Sequence, residues 1–201
     1  RPTRSTLCPY TPLCRSSGRS VDRLPRATRH SIEQAVAALA KVMDRERDLL
    51  FVFMTSHGSP THEFQLSMNE LTLPLLPAAR LGQMLQASGI RQQVVVVSAC
   101  YSGGYIAPLK DERTLIITAA RADRVSFGCS EEADFTYFGD ALFAQALNQT
   151  DDLKQAFELA RASVAERERR EGFEASEPQI WAPSRVIAHW QRLRRQQAEQ
   201  A

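Results

Sequence analysis

Residues 94–97 are four consecutive valines, and the run passes through Ser98 and Ala99 into Cys100. A strand with one wet face alternates apolar and polar side chains, because successive residues point to opposite faces. Val94–Ala99 does not alternate, so both of its faces must be covered. That is the situation of a strand inside a parallel sheet with helices on either side. Leu49–Thr55 (LLFVFMT) is a second apolar run read as a strand, Thr114–Ala119 (TLIITA) makes a third, and Gln179–Trp181 adds a short last strand.

The intervening segments carry helical periodicity. His30–Arg47 is predicted as a helix capped by Ser31, with Ile32, Val36, Leu39, Val42 and Met43 as its apolar stripe. Ala78–Ser88 is predicted next, with Leu81, Met84 and Leu85 on one side and Gly89 as its stop. A helix then runs from near Gly139 to about Asn148. Another, capped by Asp151 or Asp152, carries Leu153, Phe157, Ala160 and Val164 until Gly172 ends it. Its far end, Glu166 to Glu171, mixes charges and reads as a solvated face. Ser184 opens a terminal helix with Val186, Ile187, Trp190 and Leu193 inward, while residues 56–77, with three prolines, read as a long loop. Strands alternating with helices predict an α/β fold, a three-layer αβα sandwich on a mostly parallel sheet.

The 201 residues suffice for one domain with a real core. A net charge of +2 is too small to argue for nucleic acid. Residues 1–30 nevertheless hold seven arginines against Asp22 alone, and the first twenty are rich in Pro, Ser and Thr. Residues 1–28 are therefore expected to be a basic, disordered leader and 29–201 the folded domain. The four cysteines, Cys8, Cys14, Cys100 and Cys129, form neither a disulfide framework nor a zinc-type CxxC pair. No apolar run is long enough for a membrane span or a signal-peptide core. The expectation is a soluble protein without a cofactor or metal, its compartment and oligomeric state left open.

Two strands end on reactive side chains. Leu49–Thr55 leads into Ser56-His57-Gly58, and the valine strand leads into Cys100-Tyr101-Ser102-Gly103-Gly104. In open α/β sheets, sites are built at the carboxyl ends of the strands. A cysteine attacks as thiolate, and its free pKa of about 8.5 leaves little thiolate at neutral pH without a neighbouring imidazole or helix N-terminus. The glycines after Cys100 and His57 let the chain turn and aim backbone N–H groups at an oxyanion. Taken singly, a cysteine after valines is a small buried residue and a loop histidine is incidental. Their joint placement at strand ends, each beside glycine, favours chemistry. Other thiol enzymes fit poorly. A tyrosine-phosphatase loop needs arginine where Ile106 stands, and a glutamine-amidotransferase elbow needs glycine at Ser98 with its histidine downstream.

Ser56-His57-Gly58-Ser59 together with Ser98-Ala99-Cys100-Tyr101-Ser102-Gly103 resembles the legumain family of cysteine peptidases, the asparaginyl endopeptidases and related transamidases on a caspase-like fold. Thr118-Ala119-Ala120, Ser126-Phe127-Gly128-Cys129 and Thr136-Tyr137-Phe138-Gly139-Asp140 extend the likeness, which is nearest to the bacterial members and covers roughly residues 24–182. The resemblance implies Cys100 as nucleophile, His57 as general acid/base, and the N–H groups of Gly58 and Cys100 as oxyanion donors. No third acid is implied. It places Asp140 in the pocket for the residue before the scissile bond, where a carboxylate accepts from asparagine or pairs with a basic side chain. Val125 and Ser126 would line the substrate.

Plainer readings stand beside these. Asp140 also suits a helix start, Asp123 and Arg124 could pair with each other, Cys129 reads as packed, and His62 with His57 makes a poor metal site. The fold implied by the resemblance begins with a central strand that residues 1–29 do not supply. The chain is therefore expected to be N-terminally truncated or to start differently, leaving a sheet short of a neighbour strand. The function expected is a cysteine endopeptidase acting on peptide or protein through a thioester. Its alternatives are a transpeptidase of the same chemistry, an inactive peptide-binding relative, and a hydrolase of small amides.

Overall fold

A computed structural model describes residues 27–66, 73–128 and 135–199. Most of the segment expected to be a leader, with Cys8 and Cys14, and Cys129 lie outside the described residues. The central sheet has the order β1-β4-β5-β6, from Leu49–Thr55, Gln92–Ser98, Thr114–Thr118 and Gln179–Trp181. The first three strands run parallel and β6 is antiparallel to β5. Leu76–Pro77 (β3) pairs with Glu63–Phe64 (β2) as a small separate ribbon, regular structure that the predicted loop contains.

All four valines of β4 have no exposed surface. Val95 and Val97 face a core that includes Val36 and Ala40 of α1 (Arg29–Val42) and Leu81, Met84 and Leu85 of α2 (Ala78–Ser88). Val94 and Val96 face the other core, with Phe157, Ala160 and Val164 of α5 (Leu153–Glu171) and Val186 of α6 (Ser184–Ala198). One run of sequence thus supplies both cores, at about 1.5–3 kcal/mol for each fully buried side chain. The predicted αβα sandwich is the fold observed.

Within the sheet β4 has neighbours on both sides. Among the described residues the strand paired on one side only, besides β6, is β1, and Phe51 on it is 37% exposed. Among the described residues the histidine strand is thus an edge of the sheet, while the cysteine strand is flanked by β1 and β5.

Several local expectations are corrected. Thr28, not Ser31, caps α1. The Thr28 hydroxyl accepts the Ser31 N–H at 3.0 Å and the Ser31 hydroxyl accepts the Thr28 N–H at 2.8 Å, so serine completes a reciprocal box from inside the helix. Val42 is 80% exposed and lies off the stripe, because the helix stops there and Met43 turns extended. Glu168 is buried, at 2% exposure, within the stretch read as a solvated face. The chain returns past it, and the Ser176 N–H donates to its Oε2 at 3.0 Å. A short helix, α3 (Ile106–Leu109), follows a 3₁₀ turn at Ser102–Tyr105. The helix expected from Gly139 starts earlier, with α4 (Tyr137–Gly139) capped by Thr136, and continues as a π-helical stretch from Asp140 to Gln145.

Candidate active site

The register of β1 against β4 ends with Thr55 opposite Ser98, and the Ser56 N–H extends the ladder one step to the Ser98 carbonyl at 3.3 Å. His57 and Cys100 each follow two residues after that last pair. Parallel strands lie about 4.8 Å apart, so the two arms leave the sheet side by side. The arms also touch. A Cβ on Gly58 would overlap the Cys100 carbonyl and sit 3.3 Å from the Ala99 Cβ, so glycine alone permits this approach. Beyond it the His57 carbonyl accepts the Gln65 N–H at 2.9 Å, anchoring the histidine arm to the ribbon. The His57 imidazole is exposed and makes no hydrogen bond to the described residues.

Cys100 is half-buried. Its sulfur accepts the Ser126 N–H at 3.3 Å, and the thiol can donate to the Ser126 carbonyl at 3.4 Å. The Ser126 hydroxyl lies 3.9 Å away. The Tyr101 N–H donates to the Arg124 carbonyl at 2.7 Å, which fastens the segment at 124–126 along the cysteine turn. Tyr101 is left-handed at φ 57°, a conformation that reverses the chain at once after the nucleophile candidate. Gly103 packs on the backbone of Arg121 and Ala122, where any Cβ would collide. The Ser102 hydroxyl accepts the Ala120 N–H at 3.1 Å. Among the described residues, neither the Gly58 N–H nor the Cys100 N–H has an acceptor.

The other predicted residues are placed less tightly. Val125 is 37% exposed beside Ser126. Asp140 is half-buried, and its Oδ2 accepts from the Gln145 side chain at 2.8 Å; no hydrogen bond links it to Cys100 or His57. Its helix is nonetheless tied to the site, because the Thr136 and Ser98 hydroxyls lie 2.8 Å apart and Thr136 also caps the Gly139 N–H. Asp123 and Arg124 do not pair with each other. Asp123 is held by Arg121, which keeps its carboxyl down at about 2, and Arg124 pairs with Glu174. Among the described residues no three His, Cys, Asp or Glu side chains gather as a metal set, and no helix is long and apolar enough to cross a membrane.

Sequence reasoning gave Ser126 a substrate contact and missed its contact with sulfur. It also missed the Ser98–Thr136 tie, although a hydroxyl at the end of a fully apolar strand signals a buried partner.

The model of the peptidase C13 family matches residues 31–189. Among solved structures, the crystal structure of caspase-1 from Spodoptera frugiperda matches with a TM-score of 0.58 at 15% identity, covering 80% of this chain and 69% of that one. No curated protein matches. At this identity the structural likeness speaks for the fold.

Proposed function

The chain belongs to the peptidase C13 family, and from that premise we propose that it is a cysteine-type endopeptidase using Cys100 and His57. The observation that carries the reading is the pairing of the two strand ends, which brings residues 57–58 and 99–100 onto one rim, where the N–H groups of Gly58 and Cys100 have no acceptor among the described residues. Cys100 loses its proton to His57, directly or through water, and the thiolate adds to the scissile carbonyl. The new oxyanion accepts from the N–H groups of Gly58 and Cys100, donors worth about 10²–10³ in rate each. As the C–N bond breaks, imidazolium hands its proton to the leaving amine and a thioester remains. His57 then takes a proton from water as its oxygen attacks. The acid is released and the sulfur recovers a proton. An amine in place of that water would give transpeptidation.

Ser126 supports the thiolate in this reading, because its N–H already points at the sulfur and a charged acceptor strengthens such a bond. Asp140 is proposed to favour asparagine before the scissile bond, releasing Gln145 to accept from the substrate amide.

Peptide acyloxymethyl ketones bearing Asn, Arg or Asp at the reactive position test the proposal. Labelling should require Cys100, be strongest with Asn, and fall by about 10²–10⁴ in His57→Ala. Absence of labelling by every probe, in protein shown to be folded, would overturn it in favour of a peptide-binding relative without activity.

A further inference from the structure

His62 takes no part in the chemistry above, yet it contacts the residue next to the nucleophile. Its Nδ1 lies 3.1 Å from the Tyr101 carbonyl. A carbonyl only accepts, so Nδ1 must carry the hydrogen in this bond. The ring rests against the bare Cα of Gly104, where a Cβ would overlap it. The histidine backbone is pinned as well. Its N–H donates to the Ser59 carbonyl at 2.9 Å, and its carbonyl accepts the Ala78 N–H at 3.1 Å, at the start of α2. Both ends of the side-chain bond are left-handed, His62 at φ 60° and Tyr101 at φ 57°. Residues other than glycine adopt that region seldom, and persist there only when their surroundings hold them.

Given Cys100 as the nucleophile, we propose that His62 is a positioning residue for it, holding the Tyr101 peptide so that the turn presents the sulfur and the Cys100 N–H in one fixed orientation. Three donors and acceptors clamp Tyr101. Its N–H goes to Arg124, and its carbonyl receives both the Gly104 N–H at 3.2 Å and the His62 ring. Of these only the imidazole comes from the histidine arm, so it ties the geometry of the cysteine turn to the loop that carries His57. The contact needs both a donor at the δ position of residue 62 and no side chain at residue 104. Gly104 does not have a positive φ, so its requirement is for space alone.

The test uses His62→Gly, which removes the ring without straining a positive φ, and His62→Asn, which tolerates the left-handed region and can put an amide nitrogen where Nδ1 stands. Gly104→Ala displaces the ring and leaves residue 62 intact. The readouts are kcat and KM on a peptide substrate, melting temperature, and the rate of iodoacetamide alkylation at Cys100 from pH 5 to 9, followed by mass spectrometry of its peptide. His62→Gly and Gly104→Ala should each lower kcat and alkylation about tenfold, the rate equivalent of one hydrogen bond, with KM moved less than about twofold. His62→Asn should restore both to within about threefold, and Gly104→Ala should cost nothing further in the His62→Gly background. Unchanged kcat and alkylation in folded His62→Gly, failure of Asn to restore them, or simple addition of the two losses would each overturn the proposal. If Cys100→Ala kept full activity, the nucleophile assignment would fall, whereas the alkylation series still reads the effect of His62 on the sulfur.

Discussion

Gly58→Ala is the sharpest probe of how the two strand ends meet. The added Cβ falls onto the Cys100 carbonyl oxygen, with the carbonyl carbon at 3.2 Å and the Ala99 Cβ at 3.3 Å. Gly58 does not have a positive φ, so alanine would be tolerated by the backbone itself and the whole effect is contact. Neither contact partner can yield like a flexible side chain. The Ala99 Cβ directly follows the fully buried strand β4, and the other partner is the backbone of Cys100, one residue further on. The arms must part by about 1 Å to clear the methyl, and a displacement of that order at a reacting centre costs about 10²-fold. That corresponds to roughly 2.7 kcal/mol of transition-state stabilisation. The same movement re-aims the Gly58 N–H, one of the two proposed oxyanion donors, so the loss should fall on kcat more than on KM. Overpacking should also cost about 1–3 kcal/mol of stability. The assay is kcat and KM with an Asn-containing peptide, normalised by active-site labelling, alongside thermal unfolding. If Gly58→Ala kept kcat within about threefold and melted like the parent, the close approach of the two arms and the oxyanion role built on it would both be wrong.

The remaining expectations are smaller. Gly172→Ala forces a Cβ into φ 76° with nothing within 4 Å to hit; it should cost about 1 kcal/mol, or 2–4 °C of melting temperature, and leave kcat/KM unchanged. Asp140→Ala should lower kcat/KM for Asn substrates by about 10-fold or more and weaken the preference for the Asn probe over the Arg probe, read by competitive labelling; equal loss for both probes would limit Asp140 to its helix. His189 donates from Nε2 to the Arg47 carbonyl at 2.8 Å and accepts Arg192 at Nδ1, and burial first, then the Arg192 charge, push its pKa down, against the Arg47 bond and Asp48. Its neutral form is therefore favoured by folding, and the unfolded chain binds the extra proton. Stability from this group is present above about pH 6.5 and is lost as pH falls from there toward the lowered folded value. Urea midpoints measured from pH 7.5 to 5 should fall, and His189→Gln should flatten that slope.

How much of this was legible beforehand follows from the range of each interaction. The valine run announces its own burial, since four adjacent valines leave neither face polar. Leu49–Thr55 and Gln179–Trp181 have the bounds read from the sequence, but Leu50 alone of the first is buried and the second is half-buried throughout, because each is an edge of the sheet as described. Gly89 and Gly172 announced helix ends because their left-handed φ is a local demand. The motifs at residues 56–59 and 98–103 pointed to Cys100 and His57, since strand ends in parallel register need only the pattern of each strand. What the sequence hid depends on loops meeting loops. Glu168 looked solvated because its burial is made by residues 173–176, which fold back over the end of their own helix. His62 read only as half of a poor metal site because its contacts are a bond to Tyr101, thirty-nine positions away, and the missing side chain of Gly104. Neither residue carries a signal of its own. The signal is the pair, an imidazole at φ 60° and a glycine that needs no special backbone. A glycine whose φ any residue could adopt should therefore be read as space kept for a neighbour, and in this chain the kept space at Gly58 and at Gly104 borders the cysteine turn on both occasions.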